Sequence, residues 1–303
     1  MKYIKLADYN ASDIILGCMR IRDKTSKEIQ ELVETAISCG INFFDHADIY
    51  SGGICEENFG NAINLKSAER EKMIIQTKCG ISKGYFDFSK EHIIEAATGS
   101  LKRLKTDYID ILLLHRPDPL VEPQEVAEAF RYLKEKGYVK HFGVSNHTPY
   151  QIQLLEKYTD EKLIVNQLQL SIVHSKLIDS SICLNMNNEQ SVNRDSGVLD
   201  FCRLNDITIQ AWSPFQKGFF GGVFIDDKEY SKLNTLLADL AKQYNVSKEA
   251  IAVSWITRHP ADMQVVLGTT NPERVKKCCD GSEIRLTRKE WSDLYKAAGN
   301  IIP

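Results

Sequence analysis

Short apolar runs alternate along the chain with longer stretches in which apolar residues return every three or four positions. The runs Ile41 to Asp45, Met73 to Lys78, Tyr108 to Leu114, Val139 to Val144 and Leu163 to Leu168 read as strands, followed later by Ile207 to Trp212 and Met263 to Leu267. Between them, periodic stretches predict helices at about 55–65, 89–104, 123–136, 149–158, 229–244 and 248–258. The first periodic stretch opens at Thr25 with Glu28 three positions on, carries Leu32, Val33, Ala36 and Ile37 on one face, and stops at Gly40. A capping box at one end and a glycine stop at the other account for that pattern.

Near-continuous apolar strands joined through helices imply parallel pairing, because crossover helices cover both faces of the sheet. Counting Ile15 to Met19 as the first strand gives eight, the number that closes a (β/α)8 TIM barrel. The expected architecture is one α/β barrel domain over residues 1–303, with an N-terminal β-hairpin from Tyr3–Leu6 and Ser12–Leu16 and extra C-terminal helices. Two stretches fall outside a minimal barrel. Residues 183–197 are polar and turn-rich, as an insertion or mobile loop would be, and Lys217 to Asp227 holds Phe219, Phe220 and Phe224 among glycines. The second reads as a substrate lid or as aromatics packed on the barrel rim.

A formal charge of -3 with 38 basic and 41 acidic residues gives no general attraction to nucleic acid or anionic lipid. The first residues lack the apolar core of a signal peptide and no run is long enough to span a bilayer, so a cytoplasmic protein is expected. The eight cysteines form no C-x-x-C and read as reduced, buried groups. Cys79 is the one to watch, since the neighbouring Lys78 could lower a thiol pKa.

Catalytic groups in such barrels sit at the C-terminal ends of strands. Asp45 ends one predicted strand, Tyr50 follows it, Lys78 ends the next and His115 the one after. A carboxylate, a phenol, an ammonium and an imidazole gathered there make a proton-transfer site. A metal-dependent hydrolase using His46, Asp48, His115, His141 and His174 is the competing class. It fits poorly, because the first strand has no H-x-H and His46 would face away from Asp45. A cofactor-binding redox sensor with slow turnover is the third.

Here the chain resembles the aldo-keto reductase family, whose Asp, Tyr, Lys and His occur in this order, and the wording D-H-A-D-I-Y and L-L-L-H-R-P-D-P is most like its bacterial YdhF-type oxidoreductase subgroup. The runs His141 to Asn146, Asn166-Gln167, Ala211 to Pro214 and Gly268 to Arg274 carry the same resemblance. It implies reduction of a small-molecule carbonyl by NADPH, with NADP as product, in a monomer or weak oligomer and with no metal. Tyr50 would be the general acid, Lys78 would lower its pKa, Asp45 would hold Lys78, and His115 would orient the carbonyl. Carried over position by position, Ser145, Asn146 and Gln167 would bind the nicotinamide carboxamide, Trp212 would stack on its ring, and Arg274 would grip the 2′-phosphate. Gly17, Cys18, Met19, Asp45, Ser213, Pro214, Gly218, Gly268, Thr269 and Thr270 complete the implied cofactor contacts. Where many members carry lysine six positions before that arginine this chain has Gly268, which relaxes the expected preference for NADP.

Overall fold

Tyr3–Leu6 (β1) and Tyr9–Ser12 (β2) pair antiparallel through a turn at Ala7 and Asp8. The hairpin therefore ends at Ser12, short of the predicted Ser12–Leu16 strand, because the Ser12 hydroxyl donates to the Ile14 carbonyl at 2.7 Å and turns the chain at Asp13. Ile14–Gly17 (β3) then enters the main sheet. This computed structural model describes residues 1–65, 68–219 and 221–303.

The elements follow in the predicted alternation: Ser26–Ser38 (α1), Phe43–Asp45 (β4), Ile54–Ala62 (α2), Ile74–Cys79 (β5), a small hairpin of Ile81–Ser82 (β6) and Tyr85–Phe86 (β7), Lys90–Leu104 (α3), Ile109–Leu114 (β8), Pro123–Glu135 (α4), Val139–Ser145 (β9), Pro149–Glu156 (α5) and Leu163–Gln169 (β10). Lys176–Ile182 (α6) and Val198–Leu204 (α7) precede Thr208–Trp212 (β11), Ser231–Tyr244 (α8), Lys248–Thr257 (α9), Gln264–Leu267 (β12), Pro272–Cys279 (α10) and Arg288–Ala297 (α11). Strands β3, β4, β5, β8, β9, β10, β11 and β12 pair parallel in that order and close into a barrel.

The capping box at α1 forms as predicted, with the Thr25 hydroxyl accepting from the Glu28 amide and the Glu28 carboxylate accepting from the Thr25 amide. Ile29, Leu32, Val33 and Ala36 face the core, but Ile37 is 45% exposed, since it falls off the edge of that stripe. Helix α2 approaches α3 so closely that a Cβ on Gly60 would lie 2.3 Å from the Arg103 carbonyl oxygen. The segment 183–197 is tied to the C-terminal tail: the Gln190 side chain donates to the Tyr295 hydroxyl (2.7 Å) and the Ile301 carbonyl (2.9 Å), and accepts from the Ile301 amide.

Inside the barrel the side chains are layered. At the N-terminal end Ile4, Leu6 and Ala11 of the hairpin pack on Phe43, Ile74 and Ile111 and close the floor. Tyr9 fastens that floor by donating to Asp110, which is buried in an ion pair with Arg70 at 2.7 Å. Gln76, Gln167, Gln210 and Gln264, all buried, form the next layer. The Gln76 amide donates to Gln210 (2.8 Å), as does that of Gln167 (3.0 Å), while Gln210 donates to Gln264 (3.1 Å). Since the strand termini and a cleft lie beyond, this layer decides what the site rests on.

Candidate active site

Strands β4, β5 and β8 deliver the four predicted catalytic residues to one point. The Lys78 ammonium, fully buried, donates to both Asp45 oxygens (2.8 and 2.7 Å), to the His46 carbonyl (2.8 Å) and to the Tyr50 hydroxyl (3.1 Å). The His115 ring stands edge-on to Tyr50, with centroids 6.0 Å apart at 81°. Asp45 Oδ1 also accepts from Gln76 (2.6 Å) and Gln167 (3.0 Å), so the glutamine layer holds the carboxylate from below.

A tight turn sets the direction of Tyr50. Ser51, Gly52 and Gly53 follow it with φ of 53°, 65° and 91°, three successive left-handed residues that reverse the chain into α2. A Cβ on Gly53 would meet the Arg103 side chain at 2.8 Å, so glycine there also serves the close approach.

The electrostatics correct one expectation. Burial pushes the Tyr50 phenol above its ordinary value, and although Lys78 opposes that rise, the net direction is upward rather than downward. Burial alone would lower the Lys78 ammonium, but Asp45 and Tyr50 outweigh it and hold the group above its ordinary value. Burial, with Lys78 and Arg116 nearby, drives His115 well below the usual imidazole range, so its ring is neutral at pH 7. The site thus holds a protonated phenol, a cation and a neutral imidazole.

These residues open into a cleft of about 670 Å³ over the C-terminal ends of the strands. Gly17, Met19, Ser145, Asn146, Gln167, Trp212, Ser213, Pro214, Gly268, Thr269, Thr270 and Arg274 line it. A Cβ on Gly17 would lie 2.7 Å from the Leu267 carbonyl oxygen, which explains glycine where β3 meets β12. The Ser145 hydroxyl donates to the Gln167 carbonyl (2.9 Å) and accepts from Asn146 (2.7 Å), while the Trp212 indole donates to Asn146 (3.2 Å). Asn146 and Ser213 both have left-handed backbones, φ 62° and 54°.

Two predicted contacts lie elsewhere. Cys18 does not line the cleft: its thiol is buried at 3.7 Å from the Leu16 carbonyl and pushed far up by burial, because its side chain turns from the barrel mouth into the helix layer. Gly218 is also outside the lining, although Gln216 and Phe219 on either side of it face the cleft. In that loop Phe224 is buried and anchors the rim, whereas Phe219 is exposed with its edge toward Trp212; Phe220 lies outside the described residues. Cys79 is buried and its thiol is pushed well up by burial, so the suspected activation by Lys78 does not occur.

The imagined metal ligands are scattered. His46 packs against Phe59, centroids 4.5 Å apart, facing away from Asp45, and His141 meets Asp8 at 2.6 Å beside the floor hairpin. Sequence reasoning passed over the glutamines beneath Asp45 and Arg20, Phe215 and Gln216 in the cleft, and reached Arg116 only as the first residue of a loop, 116–124, expected to set specificity. The glutamines had a signal, since amides interrupting otherwise apolar buried strands need partners.

The barrel and its strand-end cluster define an oxidoreductase class, and comparison identifies it. The chain belongs to the aldo/keto reductase family, whose family model matches residues 13–298. It is 35% identical to the oxidoreductase YcsN of Bacillus subtilis, covering 100% of both chains, and 34% identical to the oxidoreductase YdhF of Escherichia coli, covering 95% of this chain and 93% of that one. An aldo/keto reductase from Klebsiella pneumoniae, solved in complex with NADP and acetate, superposes with a TM-score of 0.78 at 22% identity over 99% of this chain and 96% of that one.

Proposed function

We propose that this single-domain protein reduces an aldehyde or ketone to an alcohol with NADPH, and that Tyr50 is the general acid. The observation carrying the reading is the Lys78 ammonium, in contact with Asp45 and Tyr50 at the base of the cleft. Bound NADPH would supply hydride to the carbonyl carbon. Charge then builds on the carbonyl oxygen, and a donor must meet it. Tyr50 gives its proton to that oxygen, Lys78 stabilises the phenolate left behind, and Asp45 holds Lys78 in place. A phenol kept protonated by burial remains competent, because an alkoxide is a far stronger base than a phenolate. Neutral His115 donates to the same oxygen without repelling Lys78.

The residues around the cleft fit a dinucleotide. Trp212 offers an aromatic face for the nicotinamide, and Ser145, Asn146 and Gln167 offer amide and hydroxyl partners for its carboxamide. Thr269, Thr270 and the exposed Arg274 gather at the first turn of α10, where hydroxyls and a guanidinium suit a phosphate, the Glu273 and Arg274 amides being capped by Asn271. NADPH oxidation measured against a panel of aldehydes, ketones and quinones tests the reading. Nucleotide binding with turnover of none of them would overturn it in favour of a sensor.

A further inference from the structure

Arg116 immediately follows His115 and lines the same cleft. Its guanidinium carbon lies 5.7 Å from the centre of Trp212 and 5.9 Å from that of Phe219, and these two rings meet edge-on at 6.4 Å. Among the described residues no carboxylate stands within ion-pair distance of it. Of the three acids that line the cleft, Asp45 is engaged by Lys78 at 2.7 Å and Asp226 by Lys248 at 2.5 Å, and none, Glu249 included, forms an ion pair with Arg116. An arginine flanked by two aromatic faces at the mouth of a reaction cleft keeps its in-plane donors available to an anion from outside.

Barrel order says which ligand brings that anion. Arg116 follows β8 and Arg274 follows β12, which stand four places apart in the ring of eight and hence across the mouth from each other. The guanidinium thus lies beside the proposed acid and orienting imidazole, opposite the proposed nucleotide-phosphate site. Arg20, which also lines the cleft, follows β3 beside β12 and so stands on the nucleotide side of the mouth, apart from Arg116. We propose that Arg116, with Trp212 and Phe219, forms a subsite for an oxyanion carried by the carbonyl substrate, a carboxylate or a phosphate, so that such substrates are preferred over neutral carbonyls of similar size. A planar fork of donors matches either group. This inference rests on the reductase reading.

The test compares wild type with Arg116→Gln and Arg116→Lys on two substrate pairs: 4-carboxybenzaldehyde against 4-methylbenzaldehyde, and glyceraldehyde 3-phosphate against glyceraldehyde. In Arg116→Gln the anionic-to-neutral ratio of kcat/KM should fall roughly tenfold or more, mostly through KM, with partial recovery in Arg116→Lys. Whichever pair shows the larger fall tells carboxylate from phosphate. An unchanged ratio in both pairs, or a loss confined to the KM for NADPH, overturns the subsite. In parallel, benzoate and inorganic phosphate are titrated against the tryptophan fluorescence of wild type and Arg116→Gln. Should wild type reduce no carbonyl at all, the reductase reading fails by itself; anion quenching that Arg116→Gln abolishes still supports the subsite, and quenching equal in both proteins overturns it.

Discussion

Lys78 donates to the Tyr50 hydroxyl oxygen across 3.1 Å, and the direction of that bond matters more than its length. An ammonium has hydrogens only to give, so the phenol oxygen is the acceptor and its own hydrogen must point elsewhere. With Lys78 already spending its other contacts on Asp45 and the His46 carbonyl, the free direction of Tyr50 is the cleft. In the proposed mechanism the cation would thus orient the acid as well as stabilise its conjugate base.

Replacing Tyr50 with phenylalanine removes that hydrogen together with the oxygen that accepts from Lys78, and leaves the ring and the other Lys78 contacts in place. Carbonyl reduction should fall by about 10² to 10⁴-fold, while NADPH affinity, read by fluorescence titration, stays close to wild type. Wild-type turnover in the variant would remove Tyr50 from the mechanism.

Asp45→Asn tests the support beneath the acid. It leaves the Lys78 charge buried without its counter-ion, and denaturant unfolding should show a loss of about 3–5 kcal/mol. If stability is unchanged, Lys78 has lost its proton in the variant, and the pH dependence of turnover should move with it.

For Arg274→Ala the constant for NADPH should rise roughly ten- to hundredfold, as loss of a hydrogen bond to a charged group predicts, with a much smaller change for NADH. Equal effects on the two nucleotides would place the 2′-phosphate elsewhere.

Asp13, under the floor of the barrel, gives a pH signature. Its Oδ1 accepts from Ser282 at 2.7 Å, its Oδ2 has no partner among the described residues, and burial pushes the carboxyl up to about 6. A folded-state value above that of the unfolded chain means the folded protein binds the proton more tightly. The group's contribution is therefore greatest below about pH 4, declines as pH rises, and is exhausted above about pH 6. Asp13→Asn should consequently gain up to about 3 kcal/mol over wild type at pH 8 and nearly nothing at pH 4, measured by denaturant midpoints. A gain equal at both pH values would mean that the carboxyl is not strained by burial.

The eight barrel strands and the helices after β3 to β9, the ends of α1 at Thr25 and Gly40, and the placing of Asp45, Lys78 and His115 at strand termini could be read from the residues, because periodicity and capping are local properties of the chain, whereas the β6–β7 hairpin and helices α6 and α7 were not read there. Local patterning erred where a single hydrogen bond redirected the backbone, as at Ser12, or where a side chain sat at the margin of a stripe, as for Ile37.

Ring closure decided the rest. It sets Gln76, Gln167, Gln210 and Gln264, which are far apart in sequence, beneath Asp45 as one hydrogen-bonded layer, and it turns Cys18 away from the cleft. It also fixes the net rise of the Tyr50 phenol, since the sequence shows a neighbouring cation but not how completely the water is removed around it. Contacts between residues a hundred positions apart and the dielectric around them are properties of the assembled barrel, so only the tertiary structure could give Lys78 its direction and Arg116 its place across the mouth from Arg274.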